Sequence, residues 1–518
     1  MLQTASRQVG FFDTSELIGP LPEGSFYALL AEHGERIVSD DDFLDCYSER
    51  QGRPSIPPAQ LAKVMLLQYR TGRSDREAME AVRWDLRWKA ALDLPVDHTG
   101  WDPSSLTRFR ARLMLHGKER LVLENSLKLA EQLGLLDAPA EQIVDSTPML
   151  GAAATQDTVR LVRAGVRKLI DAVEAADAEA GTQLDDALEF DYAKPADKPD
   201  CRWREKSERE RMLTRVAEDA ERALQAVERS DDLLTDAAVE DAHALLRELI
   251  GQDFDVDDDG VPRLHRGTRA GRILSVHDPE MRHGRKSAQQ RFDGYKLSAA
   301  ATNSDTPLIT AVAVCPASEQ DGPQAKLLVD QQPAAHRPKR LLGDTAYGTG
   351  PVRAELEERA VEVLAPVAER PANGDRLPKR DFQVDLEQGI VTCPAGQLAE
   401  IRTEPSGARR ARFAKAACDR CPLRARCVQP AQGCRTILLA PEEQLLIAAR
   451  QALDDPANAE HLRRTRPRIE RLLGLLAHRY GARKSRYRGS AKSLLQAAFA
   501  AALVNLNPIG LKLATTTR

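Results

Sequence analysis

The segment DGYKLSAAATNSDTPLITAVAVCPAS (residues 293–318) decides the fold class, because two apolar runs flank the turn-rich linker NSDTP. Apolar runs of this length, bounded by turn residues, predict two neighbouring strands. The sequence then alternates between a helix (DGPQAKLLVDQ), a strand (KRLLGDTAYGT), a second helix (PVRAELEERA) and a further strand (VEVLAPV). Strands followed by alternating strands and helices predict a mixed α/β sheet.

Two predicted strands carry an aspartate at their end. AEQIVDSTPML (140–150) is a short apolar run that ends at Asp145, and KRLLGDTAYGT (339–349) ends at Asp344. Carboxylates at the ends of adjacent strands can converge on one point, and Mg²⁺ prefers oxygen ligands. Two such ions, roughly 3.5–4 Å apart, stabilise the attacking and leaving oxygens of phosphoryl transfer. Taken alone, either aspartate is more often an ordinary turn or helix cap.

The segment RPRIERLLGLLAHRYGARKSRYRG (466–489) is strongly basic but contains one acid, Glu470. Between His461 and Lys492 there are eleven Lys or Arg residues and only this acid. A lone carboxylate among arginines indicates a site that holds both a phosphate backbone and a cation. Helical spacing places Arg463, Arg466 and Glu470 on one face. We therefore predict that Glu470 is a third metal ligand, presented from a helix that packs on the sheet.

The first part of the chain is predicted to be helical. Pro57 and Pro58 begin a helix that Gly72 ends, and Ser74 with Glu77 forms a capping-box pattern before SDREAMEAVRWDLRWKAAL. The spacing of the two tryptophans of that segment, Trp84 and Trp88, predicts two core residues. A third helix follows Asp102 in DPSSLTRFRARLML.

The third predicted helix has a basic face. Leu106, Phe109 and Leu113 form its apolar face, whereas Arg108 and Arg112 lie on another. The basic face suits contact with DNA, and an ordinary solvated helix is an equally good interpretation.

Composition is typical of a large globular protein. The formal net charge is −4 and the pI is about 6.3, which argues weakly against nucleic-acid binding. The charge is segregated, however, because acids concentrate at 171–260 and basic residues in the last third. The start MLQTASRQVGFF lacks a secretory pattern, and SLLQAAFAAALVNL (493–506) is predicted to be too short and too polar to span a bilayer. We expect a cytoplasmic protein with no membrane partner, associated with the nucleoid when bound to DNA.

Several of these segments resemble bacterial insertion-sequence transposases of the DDE type, in particular the branch of insertion sequence eleven-eighty-two. The resemblance covers most of the chain and rests on long motifs: GRPSIPPAQLAKVMLLQYRTGRSDREAMEAVRWDLRWKAAL, DPSSLTRFRARL, VDSTPMLGAAATQDTVRLVR, DPEMRHGRKSAQQRFDGYKLSAAAT, GDTAYG, IERLLGLLAHRYGARKSRYRG and NLNPIG. It implies an RNase H-like catalytic domain in which Asp145, Asp344 and Glu470 bind Mg²⁺ or Mn²⁺, with two ions expected. It also implies N-terminal helices that bind the terminal inverted repeats of the element.

The resemblance implies a function in DNA transposition. The protein would bind double-stranded DNA at both element ends, cleave these ends with metal-activated water and join the freed 3′-hydroxyl to target DNA. Because two ends are processed together, we expect a homo-oligomer on DNA. Two other interpretations stay open: a catalytically silent or domesticated DNA-binding protein, and a nuclease of the same fold without an end-specific domain.

We predict six segments from these patterns. They are an all-α DNA-binding domain (1–138), the first part of the RNase H-like core (139–170), an acidic helical insertion (171–266), the second part of the core (267–366), a Cys-rich insertion (367–440) and a C-terminal helical part of the core with Glu470 (441–518).

Basic residues in three regions are predicted to contact DNA. In HDPEMRHGRKS (277–287) a plain surface loop is an equally good interpretation, and Asp278 there is interpreted as a turn residue. The predicted contacts are Arg108, Arg112, Arg285, Lys286, Arg463, Arg466, Arg479, Arg483, Lys484, Arg486 and Arg488.

The chain departs from related transposases at two positions near Glu470. Arg463 stands where a tyrosine is common, and Ala477, beside His478, stands where a lysine is common. Arg479 or Lys484 is a candidate replacement for that cation.

The late cysteines indicate a second kind of metal site. Cys393, Cys418, Cys421 and Cys427 could bind one structural Zn²⁺, which would leave no open coordination position for catalysis. Only one C-x₂-C pair is present, so a reduced Cys-rich loop remains an alternative. A further aromatic residue, Trp203, lies in the polar insertion, where it could stack on a flipped base or, as is more common, pack its own subdomain.

Overall fold

The computed structural model describes residues 1–4, 14, 19–48, 54–136, 140–194, 196–230, 232–287, 289–368, 376–429 and 432–516. The predicted boundary between residues 138 and 139 lies beside residues outside these ranges. The helices are α1 Phe26–Ile37, α2 Pro58–Thr71, α3 Asp75–Trp84, α4 Leu86–Ala91, α5 Ser104–Leu115, α6 Leu121–Gln132, α7 Thr158–Ala176, α8 Ala178–Asp186, α9 Lys206–Glu228, α10 Ala237–Asp253, α11 Gln324–Asp330, α12 Gly350–Glu357, α13 Lys415–Asp419, α14 Arg424–Cys427, α15 Glu443–Asp454, α16 Pro456–Gly474 and α17 Ser490–Thr516.

The strands fall into three sheets. They are β1 Glu141–Leu150, β2 Phe254–Val256, β3 Pro262–Leu264, β4 Arg282–Arg285, β5 Arg291–Thr302, β6 Ile309–Pro316, β7 Arg340–Leu342, β8 Glu362–Leu364, β9 Gln383–Asp385, β10 Ile390–Thr392, β11 Leu398–Thr403, β12 Arg409–Arg412 and β13 Thr436–Leu439.

The central sheet has six strands in mixed orientation, which confirms the predicted mixed α/β class. Its order is β4-β5-β1-β7-β8, and β6 also pairs with β5. Strands β4, β5, β6 and β1 pair antiparallel, whereas β7 and β8 extend the sheet in parallel. The predicted hairpin around NSDTP is confirmed as β5 and β6.

Strand β1 is longer than predicted, so Asp145 does not lie at its end. Its antiparallel pairing with β5 continues to Leu150 opposite Gly294. On the other side, the parallel pairing with β7 stops at Ile143 opposite Leu342. Asp145 therefore lies within the strand, at the point where one of its two edges becomes free. The apolar run ends early because this free edge faces a polar cavity. Asp344 follows β7 as predicted.

The N-terminal helices begin and end largely as predicted. Helix α2 ends at Gly72 with a φ of 72°, and the Ser74–Glu77 capping box forms both of its hydrogen bonds. The next helix is not continuous, because Asp85 leaves the helical conformation and accepts a hydrogen bond from the backbone N–H of Arg87.

The break at Asp85 separates the two tryptophans. Trp88 is fully buried, but Trp84 is 72% exposed, so the prediction that both are core residues is wrong for Trp84. Residues four apart share a face only along one uninterrupted helix.

The acidic insertion has its own hydrophobic core, formed mainly by α7, α9 and α10. The predicted helical character of this insertion is confirmed in the segment ERERMLTRVAEDAERALQAVERS, most of which forms α9. The insertion is not helical throughout, because it ends in the hairpin β2–β3, whose turn contains Gly260 at a φ of 80°. Trp203 packs against this core and donates a hydrogen bond to the carbonyl of Pro199 at 3.2 Å. The packing interpretation of Trp203 therefore fits the structure.

The Cys-rich insertion contains a regular sheet, which the sequence did not predict. Strands β9 to β13 form a five-stranded antiparallel sheet in the order β13-β12-β11-β10-β9. Each strand has three to six residues, which is too short for a clear two-residue period in sequence.

Helix α17 is the central helix of the largest core, which also contains residues of the N-terminal helices and the main sheet. Residues 490–515 satisfy the length and composition of a membrane span, with 72% of the apolar window buried inside the protein. The prediction that this segment is too short was wrong, because the helix continues beyond the apolar run to Thr516. The same burial is typical of a core helix in a protein without a membrane span.

The loop 482–487 joins the N-terminal helices to β1. On one side, the backbone N–H of Ser485 donates to the carbonyl of Leu150 at 2.8 Å. On the other, the hydroxyl groups of Tyr487 and Tyr69 lie 2.9 Å apart. The guanidinium of Arg110 stacks over the ring of Tyr487 at 4.9 Å. We call this loop the clasp.

Arg110 is the buried ionic centre of this contact, because it also pairs with Asp75 through both carboxylate oxygens. We expect Arg110→Ala to lower the free energy of unfolding by about 2–3 kcal/mol, since Asp75 would lose its counter-charge. Arg108→Ala, an exposed change on the same helix, should change it by less than about 0.5 kcal/mol. Urea unfolding measures both, and equal effects would contradict a stabilising role for the Arg110 contacts.

Candidate active site

The three predicted acids line one cavity of about 500 Å³. Asp145 comes from β1, Asp344 follows β7, and Glu470 lies on α16, which packs against β1 and β5. The structure therefore brings together the three side chains that the sequence placed hundreds of residues apart.

Local structure fixes the two aspartates more firmly than the glutamate. Asp145 accepts a hydrogen bond from the backbone N–H of Ser146 at 2.8 Å. Asp344 caps the short 3₁₀ helix Thr345–Gly348 and accepts from the N–H of Ala346 at 2.8 Å. The capping interpretation of Asp344 is thus correct, and capping leaves its second oxygen available. The Glu470 side chain is 58% exposed and lies 4.0 Å from the guanidinium of Arg466, so it has the most freedom to move.

Burial and mutual repulsion give Asp145 an unusual proton affinity. Burial raises its pKa to about 6, and the negative charges of Asp344 and Glu470 add to this increase. The Ser146 N–H and the Arg466 charge act in the opposite direction. A raised pKa from neighbouring carboxylates is typical of a site that is completed by a cation.

The carboxylates suit a hard divalent cation such as Mg²⁺, because all three offer oxygen ligands. Among the described residues, these three acids do not form a group whose ligand atoms all lie within 4.8 Å of one another. One ion bound to all three would therefore require at least one side chain to move, and the Glu470 side chain is 58% exposed.

The group that does satisfy this distance consists of Asp45, Cys46 and His116. Asp45 in this group already forms an ion pair with Lys118 at 2.6 Å. Its carboxylate therefore has a counter-charge without a metal ion.

Three of the predicted DNA-contacting residues line the acid cavity: Arg285, Lys286 and Arg466. Neither Arg285 nor Lys286 has an ion-pair partner among the described acids, and both are exposed. The predicted loop 277–287 is partly a strand, β4, and Asp278 within it accepts hydrogen bonds from the hydroxyl of Tyr295 at 2.5 Å and the N–H of Gly489 at 3.2 Å.

The other predicted DNA contacts lie outside the cavity. Arg463 pairs with Glu460 at 2.7 Å. Arg112 donates to the carbonyl of Cys46 at 2.9 Å and stacks over Tyr47. The other six predicted DNA-contacting residues also lie outside the cavity, and five of them contact other parts of the protein. Arg108 donates to Ser104, Arg479 stacks over Tyr480, Arg483 donates to the carbonyl of Pro148, Lys484 forms a β-bridge with Leu150, and Arg486 donates to the carbonyl of Arg73. Arg488 is exposed.

The departures near Glu470 affect the cavity directly. Ala477 and His478 both line it, whereas the candidate replacements Arg479 and Lys484 do not. Neither Arg479 nor Lys484 therefore replaces, within this cavity, the lysine that is common at the Ala477 position in related transposases.

Sequence reasoning missed Lys296 and Asp321, which also line the cavity. Asp321 follows β6 by five residues, and Lys296 is the one lysine of β5. Both signals are present in the sequence. They indicate cavity-lining residues only once the pairing of β5 with β1 is known.

Three of the cysteines predicted to bind zinc lie close enough to the fourth, Cys427, to affect its thiol. Burial raises the pKa of the Cys427 thiol, Arg435 opposes this effect, and Cys418, Cys393 and Cys421 add to it. The backbone N–H of Gln397 approaches the Cys393 sulfur at 3.4 Å. Among the described residues these thiols do not form a group with all ligand atoms within 4.8 Å, so the zinc site stays a prediction.

Comparison with protein families decides the assignment. Residues 16–112 match a transposase domain (DUF772), and residues 392–509, which include Glu470, match a transposase DDE domain. The two matches support an insertion-sequence transposase of the DDE type. No curated protein and no solved structure matches the chain at a significant level. The family resemblance found in the sequence is therefore confirmed, and the transposase family generally uses divalent metal ions.

The raised pKa of Asp145 predicts a pH-dependent effect on the stability of the metal-free protein. Between about pH 4 and pH 6 the unfolded chain has lost this proton while the folded protein retains it, so folding becomes less favourable as pH rises. We expect Asp145→Asn to stabilise the protein by about 1–2 kcal/mol at pH 8, after allowance for partial exposure, and by nothing at pH 4.

Urea unfolding in a chelator at both pH values tests this expectation. Asp305→Asn, which removes an exposed acid at the other end of the sheet, is the control for loss of one negative charge. A stabilisation by Asp145→Asn that is the same at pH 4 and pH 8 would contradict the buried-carboxylate explanation.

Proposed function

We propose that the protein is a DNA transposase that binds the terminal inverted repeats of its insertion sequence, cleaves the ends by metal-dependent hydrolysis and joins them to target DNA. The observation that carries this proposal is that Asp145, Asp344 and Glu470 line one cavity together with Arg285 and Lys286, which have no ion-pair partner among the described acids. A site that bound only phosphate would not need three carboxylates, and a site that bound only metal would not need those cations.

An RNase H-like core is the fold that we propose for the catalytic part. Its support is the strand arrangement: three antiparallel strands, β6, β5 and β1, are followed by the parallel strands β7 and β8. Two large insertions leave this sheet intact, because the acidic one follows β1 and the Cys-rich one follows β8.

The carboxylates would hold Mg²⁺ or Mn²⁺. When bound, such ions lower the pKa of water and stabilise the charge that develops on attacking and leaving oxygens. Asp145 and Asp344 are fixed by backbone hydrogen bonds, and Glu470 completes the set from the opposite side. The spread of the three acids favours two ions rather than one, since the ligand atoms do not converge within 4.8 Å.

The cations would orient the DNA strand. Arg466, one helical turn before Glu470, lies beside the acids, and Arg285 and Lys286 border the same cavity. Guanidinium groups bind phosphate oxygens in bidentate fashion, so they can fix the scissile phosphate relative to the carboxylates. In-line attack then requires only water or a 3′-hydroxyl at one position, which allows both chemical steps in one site.

The N-terminal helices would recognise the element ends. Arg108 is exposed on α5, whereas Arg112 is held by Cys46 and Tyr47, so Arg108 is the better candidate for a phosphate contact. Two ends have to be processed together, which supports a homo-oligomer on DNA. We propose that the protein acts in the cytoplasm on chromosomal DNA, without a membrane partner.

Excision from the native flanking repeats tests the catalytic assignment. We expect Asp145→Asn, Asp344→Asn and Glu470→Gln each to reduce excision of a marker at least about a thousandfold, because each removes a ligand of the charge-stabilising ions. Glu460→Gln is the matched control, since it changes an acid on the same helix that pairs with Arg463 and Arg464 outside the cavity.

Gel-shift binding to the flanking repeats separates the alternatives. Loss of excision with retained binding in the three variants would support the transposase. Binding without excision by the wild type would favour the catalytically silent DNA-binding protein. Near-normal excision by any one of the three variants would refute the role of the substituted acid as a metal ligand.

A structural Zn²⁺ held by Cys393, Cys418, Cys421 and Cys427 is a separate proposal. It is supported by their proximity around Cys427 and by the N–H of Gln397 directed at the Cys393 sulfur. We expect about one zinc per chain by elemental analysis and its loss in Cys418→Ser. Cys315→Ser, a change in a buried cysteine of β6, should retain the metal. A wild-type protein without zinc would remove the site.

A further inference from the structure

Lys296 and Asp321 form an ion pair at the edge of the acid cavity. The ammonium of Lys296 lies 3.0 Å from Oδ1 of Asp321 and donates to the carbonyl of Glu319 at 2.7 Å. The Lys296 side chain is only 16% exposed. Because an ammonium group has three N–H donors, these two contacts leave one donor for a further acceptor.

The pair separates two cavities. Lys296, Asp321 and Arg285 line the acid cavity, and the same three residues line a second cavity of about 650 Å³. The second cavity is open to solvent and is bordered by the segment 317–322 and by Thr345, Ala346 and Thr349, just after Asp344. The two cavities therefore adjoin at Lys296, Asp321 and Arg285.

The register of the sheet explains why Lys296 and Asp145 reach the acid cavity from opposite faces of the sheet. Lys296 lies opposite Pro148 and Asp145 lies opposite Ala299, so the two side chains point to opposite faces of the sheet. They meet at one cavity because β7 pairs with β1 only as far as Ile143, and the next pairing on that edge among the described residues is the bridge from Leu150 to Lys484. A DNA strand that crosses this edge would meet the carboxylates first and Lys296 next.

The ion pair lies in a largely buried polar environment. Tyr347 and Ser298 are almost fully buried beside it. Burial raises the pKa of the Tyr347 hydroxyl, and the negative charge of Asp321 adds to this increase. The Lys296 ammonium is therefore held in this environment with Oδ1 of Asp321 as its counter-charge.

We propose that Lys296, positioned by Asp321, binds a backbone phosphate of the DNA strand next to the scissile one, and that the second cavity receives this strand. The proposal rests on the transposase function and extends it by a specific contact. Lysine suits the role because it acts as a compact point charge toward phosphate. Its place in the cavity also supplies a cation where Ala477 leaves none.

A double-mutant cycle between protein and DNA tests this contact. The probe is a duplex that carries the gene's flanking repeat, with a neutral methylphosphonate placed at each phosphate around the junction in turn. In the wild type, we expect one position near the junction to weaken binding about tenfold, as is typical of a lost hydrogen bond between charged groups. In Lys296→Met, the same methylphosphonate should cause no further loss.

Three variants make the test specific. Lys296→Arg keeps the charge and should retain most of the coupling, whereas Asp321→Asn should weaken binding less than Lys296→Met because the ammonium is only misplaced. Lys326→Met is the matched control, since Lys326 pairs with Asp330 at 3.3 Å outside both cavities. It should leave both binding and the salt dependence unchanged.

The outcomes separate this proposal from the proposed function. Two results would overturn the contact even if excision proceeds. In one, Lys296→Met and every methylphosphonate weaken DNA binding independently of each other. In the other, Lys296→Met binds the duplex as tightly as the wild type does. Coupling at one phosphate in a wild type that never excises would support the contact and refute the transposase reaction. A slope of binding against salt reduced by about one in Lys296→Met would further support one lost phosphate contact.

Discussion

The unequal pairing of β1 is the constraint on which the catalytic part of the molecule depends. On one side, β5 holds the strand in register from Gln142 to Leu150, and on the other, β7 holds it only to Ile143. The long pairing fixes Asp145 against the sheet, and the short one leaves space beside it. Both conditions are needed, because a fully paired strand would exclude a substrate and an unpaired one would not orient the carboxylate.

The clasp connects this strand to the rest of the chain. Loop 482–487 bonds to the end of β1 at Leu150 and contacts the N-terminal helices through Tyr487 and Arg486. The proposed reader of the DNA ends and the acid-bearing strand are therefore in mechanical contact through a few residues. Arg486, one of the basic residues predicted to bind DNA, takes part in this contact by donating to the carbonyl of Arg73. Its role in DNA binding stays a prediction.

The sequence predicted the mixed sheet, the hairpin and the three converging acids, because these depend on local apolar runs and on single residues after strands. It did not predict the length of β1, since the pairing beyond Asp145 involves Ser146, Thr147 and Pro148, which do not read as a strand. It also placed Trp84 in the core, because the break at Asp85 depends on a side-chain hydrogen bond. Lys296 and Asp321 were missed for a related reason: their meeting is set by register between distant strands, which no local pattern records.

The helix that carries Glu470 ends in a wide π-type turn at 475–479, where the N–H of Tyr480 reaches back five residues to the carbonyl of Leu475. Such a turn accommodates one residue more than an α-helical turn. Counting positions after Glu470 by α-helical spacing therefore fails from residue 475 onward. Ala477 and His478, the two residues of this turn that line the acid cavity, are therefore positioned relative to Glu470 by the wider turn.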